Sequence, residues 1–406
     1  MTIILFLIIL GALVFVHELG HFIAAKKAGI RVDEFALGFP PRIIGKKVGE
    51  TEYAINLIPF GGYVKIFGED GAEDAELTRL PAAPSVAQVG KEEHARPTEP
   101  SFGRGTGAEG VEAVSSGDAR RFTSKPRHIQ ALVLASGVLG NIVFAWMLIS
   151  AGFMLGVPSS VEGRYAGEVQ DTKLMLTTVM PGSPAEGAGL RSGDVVTSLL
   201  TSDAAGSARR FEDIDAPAAR AFIGASAGDI SVFYKRGEET GVAVATPKTG
   251  IVEGKLAIGV SLEEVGEVRF GFFRAFLEGA RTTWDLLREV TVGLAVFLGE
   301  AIAGRADLSS VSGPVGIAGL VGEARVLGIV YILSFTAFIS INLAVINLLP
   351  FPALDGGRLL FLAVEAVTRK SIPAKFTRVV NTVGFALLIF FMVFITYRDI
   401  VKLVSS

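Results

Sequence analysis

Four long apolar runs constrain this sequence more than any other feature, and they occupy residues 2–25, 131–157, 331–357 and 379–396. A helix needs about 20 apolar residues to cross the roughly 30 Å hydrocarbon layer of a membrane, and each run approaches or exceeds that length. Apolar residues make up 50% of the chain and charged residues only 19%, which is unusual for a soluble enzyme. The sequence therefore predicts an α-helical membrane protein with four transmembrane helices.

Two stretches bear on how many segments cross the membrane. Residues 291–298 are apolar but too short to span, and Glu289 and Glu300 flank them. We interpret them as part of an amphipathic helix at the membrane surface, although a helix buried in a soluble domain would show the same pattern. The first run lacks the basic start and the small-residue cleavage site of a signal peptide, so we expect it to be retained.

Basic residues near the ends of the runs predict the orientation in the membrane. Lys and Arg favour the cytoplasmic side, and here they are concentrated after the first run and between the third and the fourth. They are Lys26, Lys27, Arg31, Arg42, Lys46 and Lys47, followed by Arg358, Arg369, Lys370, Lys375 and Arg378. We therefore expect both loops to be cytoplasmic, with the two termini and residues 158–327 on the other side.

A small sheet is predicted directly after the first span. Residues 32–67 have the composition of short strands, and turn signals occur at Gly49, Pro59, Gly61 and Gly62. Because this segment follows the membrane helix immediately, we expect its sheet or hairpin to be associated with the membrane.

An insert of different composition follows. Residues 69–122 are rich in Ala, Gly, Glu, Ser and Pro and contain few large apolar residues, which predicts a disordered cytoplasmic segment. A disordered segment offers no preorganised metal ligands, so we expect its His94 to be solvated and not bound to metal.

Residues 159–268 alternate apolar and polar positions in short runs, which predicts a mostly-β extracytoplasmic domain. A tight turn should lead into a short helix starting near Ser183, before a strand at residues 195–200. This turn resembles the PDZ signature of membrane-bound and periplasmic proteases, through Gly182, Ser183, Pro184, Ala185 and Gly189. A PDZ domain would bind an extended peptide or a carboxyl terminus by strand addition. A β-domain that only braces the membrane part is the alternative.

These features divide the chain into six predicted regions. They are the first span with its β region (1–68), the insert (69–122), the second span (123–158), the β-domain (159–268), extracytoplasmic or interfacial helices (269–327), and the third and fourth spans (328–406).

The first span contains the pattern His17-Glu-Leu-Gly-His21. Residues i and i+4 project from one face of a helix, so both imidazoles can bind one zinc ion while Glu18 reaches a water molecule at the metal. Ionisable residues within a span are costly unless they are paired, coordinated or open to water. A histidine pair with a purely structural role is the alternative, and the membrane location disfavours it.

Zinc requires a third protein ligand, and the sequence restricts the choice. The chain has no Cys, and neither of its two other histidines is well placed, so a carboxylate must supply it. Asp355 is the carboxylate of the third run, in a stretch that contains Pro350, Pro352 and two glycines. Prolines break a helix, and unwound backbone at membrane depth is tolerated where it lines a cavity or is buried in protein. A simple helix end with an Asp at the interface would also explain this stretch.

These motifs together resemble the site-2 protease family of intramembrane zinc metalloproteases, and in particular its bacterial branch, the regulator of sigma-E proteases. The supporting strings lie at residues 16–22, 38–40, 51–65, 312–317 and 347–357. The resemblance covers nearly the whole chain apart from the insert.

The resemblance implies a zinc metalloendopeptidase of the bacterial inner membrane that performs regulated intramembrane proteolysis. His17, His21 and Asp355 would bind one Zn²⁺, and Glu18 would be the general base. The implied substrate-binding residues are Asn347, Pro350 and Pro352 in the broken span, and Tyr53, Ile55, Leu57, Gly61 and Gly62 in a hairpin that presents an edge strand. The implied partners are the lipid bilayer and single-span membrane proteins, such as anti-sigma factors or remnant signal peptides.

Two features depart from the family pattern. Members of this branch often carry two tandem PDZ domains, whereas the length here leaves room for one. The second span has Gly137-Val-Leu-Gly-Asn141, where a Gly-Pro pair before the Asn would be usual.

Two other functions fit parts of the sequence. One is a membrane scaffold without proteolytic activity that holds partners through its PDZ-like domain, and the other is a zinc hydrolase of a different membrane family. A net charge of -3 gives no basic surplus for binding nucleic acid. The lack of Cys excludes disulfides and thiolate catalysis.

Overall fold

The computed structural model describes residues 1–69, 119–202, 208–212, 215–252, 255–305 and 311–405. The chain divides into two compact units. The first comprises Met1–Leu13, Val138–Asn347 and Ala386–Ser406, and the second comprises Val14–Gly137 and Leu348–Phe385. Nearly all of the predicted insert, with its His94, lies outside the described residues.

The helices are α1 (Thr2–Lys27), α2 (Arg127–Leu155), α3 (Pro184–Gly187), α4 (Ala216–Ala225), α5 (Phe272–Ile302), α6 (Pro314–Leu327), α7 (Ile329–Leu348), α8 (Asp355–Thr368) and α9 (Ala374–Ser405). Within the described ranges, α1, α2, α7 and α9 are long and apolar enough to cross a membrane. The four predicted spans are therefore confirmed as candidate membrane helices.

The third span is shorter than its apolar run. Helix α7 ends at Leu348, residues 349–354 are not helical, and α8 begins at Asp355. Pro350 and Pro352 explain the interruption, because proline lacks a backbone N–H and its ring clashes with the preceding turn. The predicted break is confirmed, and Asp355 is the first residue of a new helix.

Residues 291–298 lie inside α5, a 31-residue helix. One face of α5 is buried through residues such as Ala275 and Thr283, whereas Phe273 and Trp284 are exposed on the other. The buried residues lie in the first half of α5, and residues 291–298 are exposed or half-buried, so their position at the membrane surface stays a prediction.

The strands are β1 (Val32–Val48), β2 (Thr51–Ile66), β3 (Val157–Ser160), β4 (Gln170–Val179), β5 (Val195–Ser202), β6 (Ala208–Glu212), β7 (Ile230–Arg236), β8 (Glu239–Ala245), β9 (Lys248–Val252), β10 (Lys255–Ala257) and β11 (Val260–Val268). In the first unit, a seven-stranded sheet has the order β3-β11-β4-β5-β7-β8, with β6 paired to β5. Its core includes Leu176, Leu199 and Ile230. This confirms the mostly-β character of the region, while its identity as a PDZ domain stays a prediction.

The predicted turn before α3 is also confirmed. The Ser183 side chain accepts a hydrogen bond from the N–H of Glu186 and so caps the helix. Gly189 follows the helix at φ +84°, a conformation that favours glycine. Strand β5 then begins at Val195.

In the second unit, β1 and β2 are two long strands instead of the several short ones that we expected. Gly38 (φ +82°) and Gly61 (φ +109°) bend the chain inside the strands without ending them. As a result β2 pairs with β1 twice, so that Leu37 is opposite both Ile55 and Gly62. The core of this unit joins α1, both strands, α2 and α8.

Candidate metal centre

Two glycines let α1 and α2 pack backbone against backbone. A Cβ atom at Gly20 would lie 2.8 Å from the carbonyl carbon of Ser136, and its closest contact would be shorter still. A Cβ at Gly137 would lie 2.8 Å from Cε1 of His17 and would overlap Nε2 of His21. Small residues allow such close approach between membrane helices. The backbone of α2 therefore packs directly against the two imidazoles.

The three predicted zinc ligands converge. His17 and His21 lie one turn apart on α1, and each is only 8% exposed. Their Nε2 atoms are 3.3 Å apart. Oδ2 of Asp355 lies 3.0 Å from Nε2 of His17 and 3.3 Å from Nε2 of His21. All three residues belong to the second unit.

This geometry fits zinc. Bonds of about 2.0–2.1 Å in a tetrahedral site place neighbouring ligand atoms roughly 3.3 Å apart. Nδ1 of His21 donates a hydrogen bond to the carbonyl of Val133 over 2.9 Å, which leaves Nε2 with a lone pair for a metal. Oδ2 of Asp355 is buried and accepts no hydrogen bond from the described residues. Electron-rich atoms that face each other at this distance repel unless a cation lies between them.

The two glycines after Asp355 determine how its helix begins. A Cβ at Gly356 would overlap the carbonyl of Leu349, and one at Gly357 would lie 2.8 Å from the carbonyl carbon of Phe351. Only glycine permits these backbone contacts. The start of α8 is thereby packed against the unwound segment, with Asp355 in its first turn.

Glu18 lies beside the first ligand and is half-buried. Its carboxyl group interacts electrostatically with both imidazoles, with Asp355 and with Arg358. A Cβ at Gly62 would lie 3.3 Å from Cγ of Glu18, so β2 passes next to this side chain. Glu18 is therefore placed to act on groups bound at the metal and near the strand.

The residues predicted to bind substrate fall into two groups. Gly62 lies in the part of β2 that pairs with β1 on one side and with no other described strand, and Gly61 directly precedes it. Tyr53 and Ile55 pair with β1 on both sides, so their backbone groups are already engaged. Leu57 lies further along β2 and its side chain is 59% exposed.

The remaining predicted substrate residues lie around the broken span. Asn347 is half-buried in the last turn of α7. Pro350 is exposed and Pro352 is half-buried, both within the non-helical segment. Their role in binding substrate stays a prediction.

Sequence reasoning missed two parts of the centre. The hydrogen bond from His21 goes to the backbone carbonyl of Val133, and a carbonyl carries no residue-type signal. Gly137 is visible as a glycine within a span, but its contact with the imidazoles depends on how α1 and α2 cross.

Comparison with known proteins adds to this geometry. The family model described as peptidase family M50 matches residues 5–391. The chain therefore belongs to peptidase family M50.

The relatives of this M50 peptidase match it over nearly their full length. It is 32% identical to the regulator of sigma-W protease RasP of Bacillus subtilis, over 99% of both chains. It is also 32% identical to the zinc metalloprotease RasP of Geobacillus kaustophilus, over 99% of this chain and 98% of the relative. The RasP of Oceanobacillus iheyensis is 32% identical over 99% of both chains. The protein is an integral-membrane zinc metalloprotease of the site-2 type, as the sequence motifs suggested, and zinc is its cofactor.

Proposed function

We propose that this M50 peptidase binds zinc through His17, His21 and Asp355 and uses Glu18 to cleave single-span membrane proteins within or beside their transmembrane segments. The convergence of the three ligand atoms at 3.0–3.3 Å carries this proposal. The four candidate membrane helices support a substrate that is itself embedded in the bilayer.

Each residue has a distinct part in the reaction. Zinc bound at this site would supply Lewis acidity, which lowers the pKa of a coordinated water towards about 7 and polarises the scissile carbonyl. Glu18 accepts the proton of the attacking water and returns it to the leaving nitrogen. The hydrogen bond from His21 to Val133 keeps the imidazole in the orientation that ligation needs.

The free edge of β2 supports a way of holding the substrate. A helical span hides its carbonyls in its own hydrogen bonds, so it must unwind before a peptide bond can be attacked. Residues 62–66 have one side unpaired among the described strands, and Gly62 lies beside Glu18. We infer that the unwound substrate pairs with this edge, because the new bonds replace some of those lost in the membrane.

The class of substrate that we propose rests on the name of a relative. One relative is named as a regulator of sigma-W. We infer that anti-sigma factors or remnant signal peptides are substrates of this chain. Its proposed location is the bacterial inner membrane, with the termini and the β-domain outside the cytoplasm.

A cavity between the β-domain and the junction of α6 and α7 supports the binding of an extended peptide. The cavity has a volume of about 1100 Å³ and is lined by parts of β4 and β5 and by residues between Val326 and Tyr331. Strand β4 pairs with β5 only at Met175 and Val195, so Thr172 lies on an edge without a further described strand. We infer that this PDZ-like domain binds the extramembrane segment of a substrate by strand addition.

The Glu18→Gln variant tests the catalytic proposal. It should bind zinc stoichiometrically, because Glu18 is not a ligand, and it should lower cleavage of a single-span reporter by about 10²- to 10⁴-fold. The Asp355→Ala variant should lose bound zinc in the purified protein, as measured by atomic absorption. Glu365→Gln changes a carboxylate of α8 that pairs with Arg127 of α2 and should keep both zinc and activity.

Two outcomes would count against the proposal. Undiminished turnover by Glu18→Gln would remove Glu18 from the reaction, and one zinc per chain in Asp355→Ala would remove Asp355 from the ligand set. Zinc binding without any cleavage in the wild-type protein would favour the scaffold hypothesis.

A further inference from the structure

The non-helical segment between α7 and α8 has left the hydrogen-bond ladder of both helices, so its backbone groups need other partners, and lipid offers none within a bilayer. Pro350 and Pro352 have no N–H to satisfy. The N–H of Phe351 donates to the carbonyl of Leu349 over 2.7 Å. The N–H of Leu354 donates to the carbonyl of Phe351 over 3.2 Å. Ala353 is the residue between them whose N–H needs a partner from elsewhere.

Ala353 is also the strained point of this segment. Its φ is +72°, in the left-handed region that side chains with a Cβ disfavour. Such a conformation persists only when the surrounding structure holds it. Asp355 follows two residues later, so the direction of the chain at Ala353 determines where the carboxylate points.

The support comes from α9. Oδ1 of Asn381 accepts a hydrogen bond from the N–H of Ala353 over 3.2 Å. One turn further along α9, a Cβ at Gly384 would lie 2.6 Å from Cβ of Pro352 and 2.8 Å from its carbonyl oxygen. Residues at i and i+3 share one helix face. This face of α9 therefore provides an amide that bonds the turn and a bare backbone against which the turn packs.

We propose that Asn381, aided by Gly384, is a positioning residue of the metal centre. It holds the left-handed turn at Ala353 and thereby places the Asp355 carboxylate where His17 and His21 converge. Loss of this hydrogen bond would leave the N–H of Ala353 without its Asn381 partner at a residue whose φ is already disfavoured, so we expect the turn to relax and the Asp355 carboxylate to shift. The inference rests on the proposed zinc ligands, and all the residues concerned lie in the second unit.

The affinity for zinc tests this role in the full-length chain in detergent. Asn381→Leu should weaken zinc binding by about 10- to 100-fold in competition with a chelator, the usual loss for a residue that orients a ligand. It should also lower kcat at stoichiometric zinc and leave KM for the reporter nearly unchanged. Asn381→Asp keeps an acceptor oxygen and should stay near the wild-type affinity.

A matched control lies on the same helix. The hydroxyl of Thr396 bonds to the carbonyl of Met392 within α9, so Thr396→Val removes a polar group from α9 without touching the turn. It should leave the zinc affinity unchanged. If Asn381→Leu does not fold, Asn381→Ser provides a smaller side chain that is too short to reach Ala353.

The decisive variant is Ala353→Gly. Glycine adopts φ near +72° without a steric penalty, so the turn needs less support. In the Asn381→Leu background it should recover a substantial part of the lost affinity, whereas alone it should change little. A role of Asn381 elsewhere in α9 would instead give additive effects in this double-mutant cycle.

Additive effects, or a wild-type zinc affinity in Asn381→Leu, would overturn the inference. Failure of the underlying proposal is separable. If Asp355→Ala retains zinc, the ligand assignment is wrong, whereas if only Asn381→Leu retains zinc, the positioning role alone is wrong.

Discussion

Gly137 lies against the two imidazoles, which occupy the space that a side chain at this position would fill. A Cβ there would lie 2.8 Å from Cδ2 of His21 as well as from Cε1 of His17. Gly20 plays the matching part on α1, because a Cβ at that position would collide with the backbone of Ser136. The positions of the imidazoles are therefore fixed by the separation of two helix backbones, and not by their rotamers alone.

The Gly137→Ala variant tests the packing at the metal centre, because the helix propensity of alanine and its contact with the imidazoles have opposite expected effects. Alanine is favoured over glycine inside a helix by about 1 kcal/mol, so a change without steric conflict would stabilise α2. At this position the added methyl group must displace the His21 ring, and we expect the zinc affinity to fall at least about tenfold. Chelator competition measures the affinity for zinc. Thermal unfolding of the metal-free protein measures the effect of the substitution on stability.

The control for this change is Gly11→Ala, since a Cβ at Gly11 meets nothing within 4 Å. It should leave zinc binding as it is. An unchanged affinity in Gly137→Ala would show that the imidazoles have more freedom than the packing implies.

The sequence could predict some of these residues and not others. His17, Glu18 and His21 were predictable because their spacing places both imidazoles on one face of a helix. Asp355 was predictable because a chain with no Cys and few His needs a carboxylate as the third ligand. Asn381 did not stand out, because a single uncharged polar residue in a span is common. Its importance depends on the φ of Ala353, which no local pattern specifies.

At the scale of elements, one ion-pair cluster fastens the β1–β2 turn. Glu50 accepts a hydrogen bond from Nζ of Lys26, the basic end of α1, over 2.7 Å. Arg120 pairs with the other carboxylate oxygen of Glu50. The two cations lower the pKa of the Glu50 carboxyl from 4.5 to about 2. The turn is thereby tied both to the first span and to the chain that leads into α2.

The stabilising effect of Glu50 should depend on pH. A carboxyl whose pKa is lower in the folded state contributes stability that is fully present above its unfolded pKa and is lost as the pH falls towards the folded one. Glu50→Gln should therefore speed hydrogen exchange of residues 48–54 at pH 7, and the difference from wild type should shrink between about pH 4.5 and 2. Hydrogen exchange with mass spectrometry measures this.

Glu52→Gln is a suitable comparison at the start of β2, two residues after Glu50, because Glu52 pairs with Arg42 within the hairpin. If Glu50→Gln speeds exchange equally at both ends of the pH range, charge pairing of Glu50 is not the cause. The substitution would then act through some other contact of this side chain.

The elements themselves were predictable to different degrees. The four spans follow from length and hydropathy, because every backbone group in a membrane must be bonded within the segment. The extent of β1 and β2 did not follow. Glycines at positive φ occur both in turns and in bulged strands, so Gly38 and Gly61 look the same in the sequence either way.

At the scale of the whole molecule, the division into two units has no compositional signal. The four boundaries fall within α1 near residue 13, α2 near residue 137, α7 near residue 347 and α9 near residue 385. Each of these helices is mostly apolar on both sides of its boundary, so composition does not change there. The division reflects contacts between residues far apart in the chain, which a single sequence does not reveal.

The orientation in the membrane is open to a direct test because the chain contains no Cys. Any introduced Cys is then the sole thiol in the protein. Ser371 lies in the exposed loop between α8 and α9, and Ser261 is exposed on β11. Both can be changed to Cys with little change in volume and none in charge, so neither variant alters the distribution of basic residues that predicts the orientation.

An impermeant maleimide should label Ser261→Cys in intact cells and Ser371→Cys only after the membrane is opened. This pattern follows if the basic loops are cytoplasmic, and it would place the β-domain where it meets extracytoplasmic parts of substrates. Each variant must first be shown to cleave the reporter, so that a misinserted chain is not scored. The reverse labelling pattern would place the β-domain in the cytoplasm, and the zinc site would then have to act on substrates whose soluble parts lie on that side.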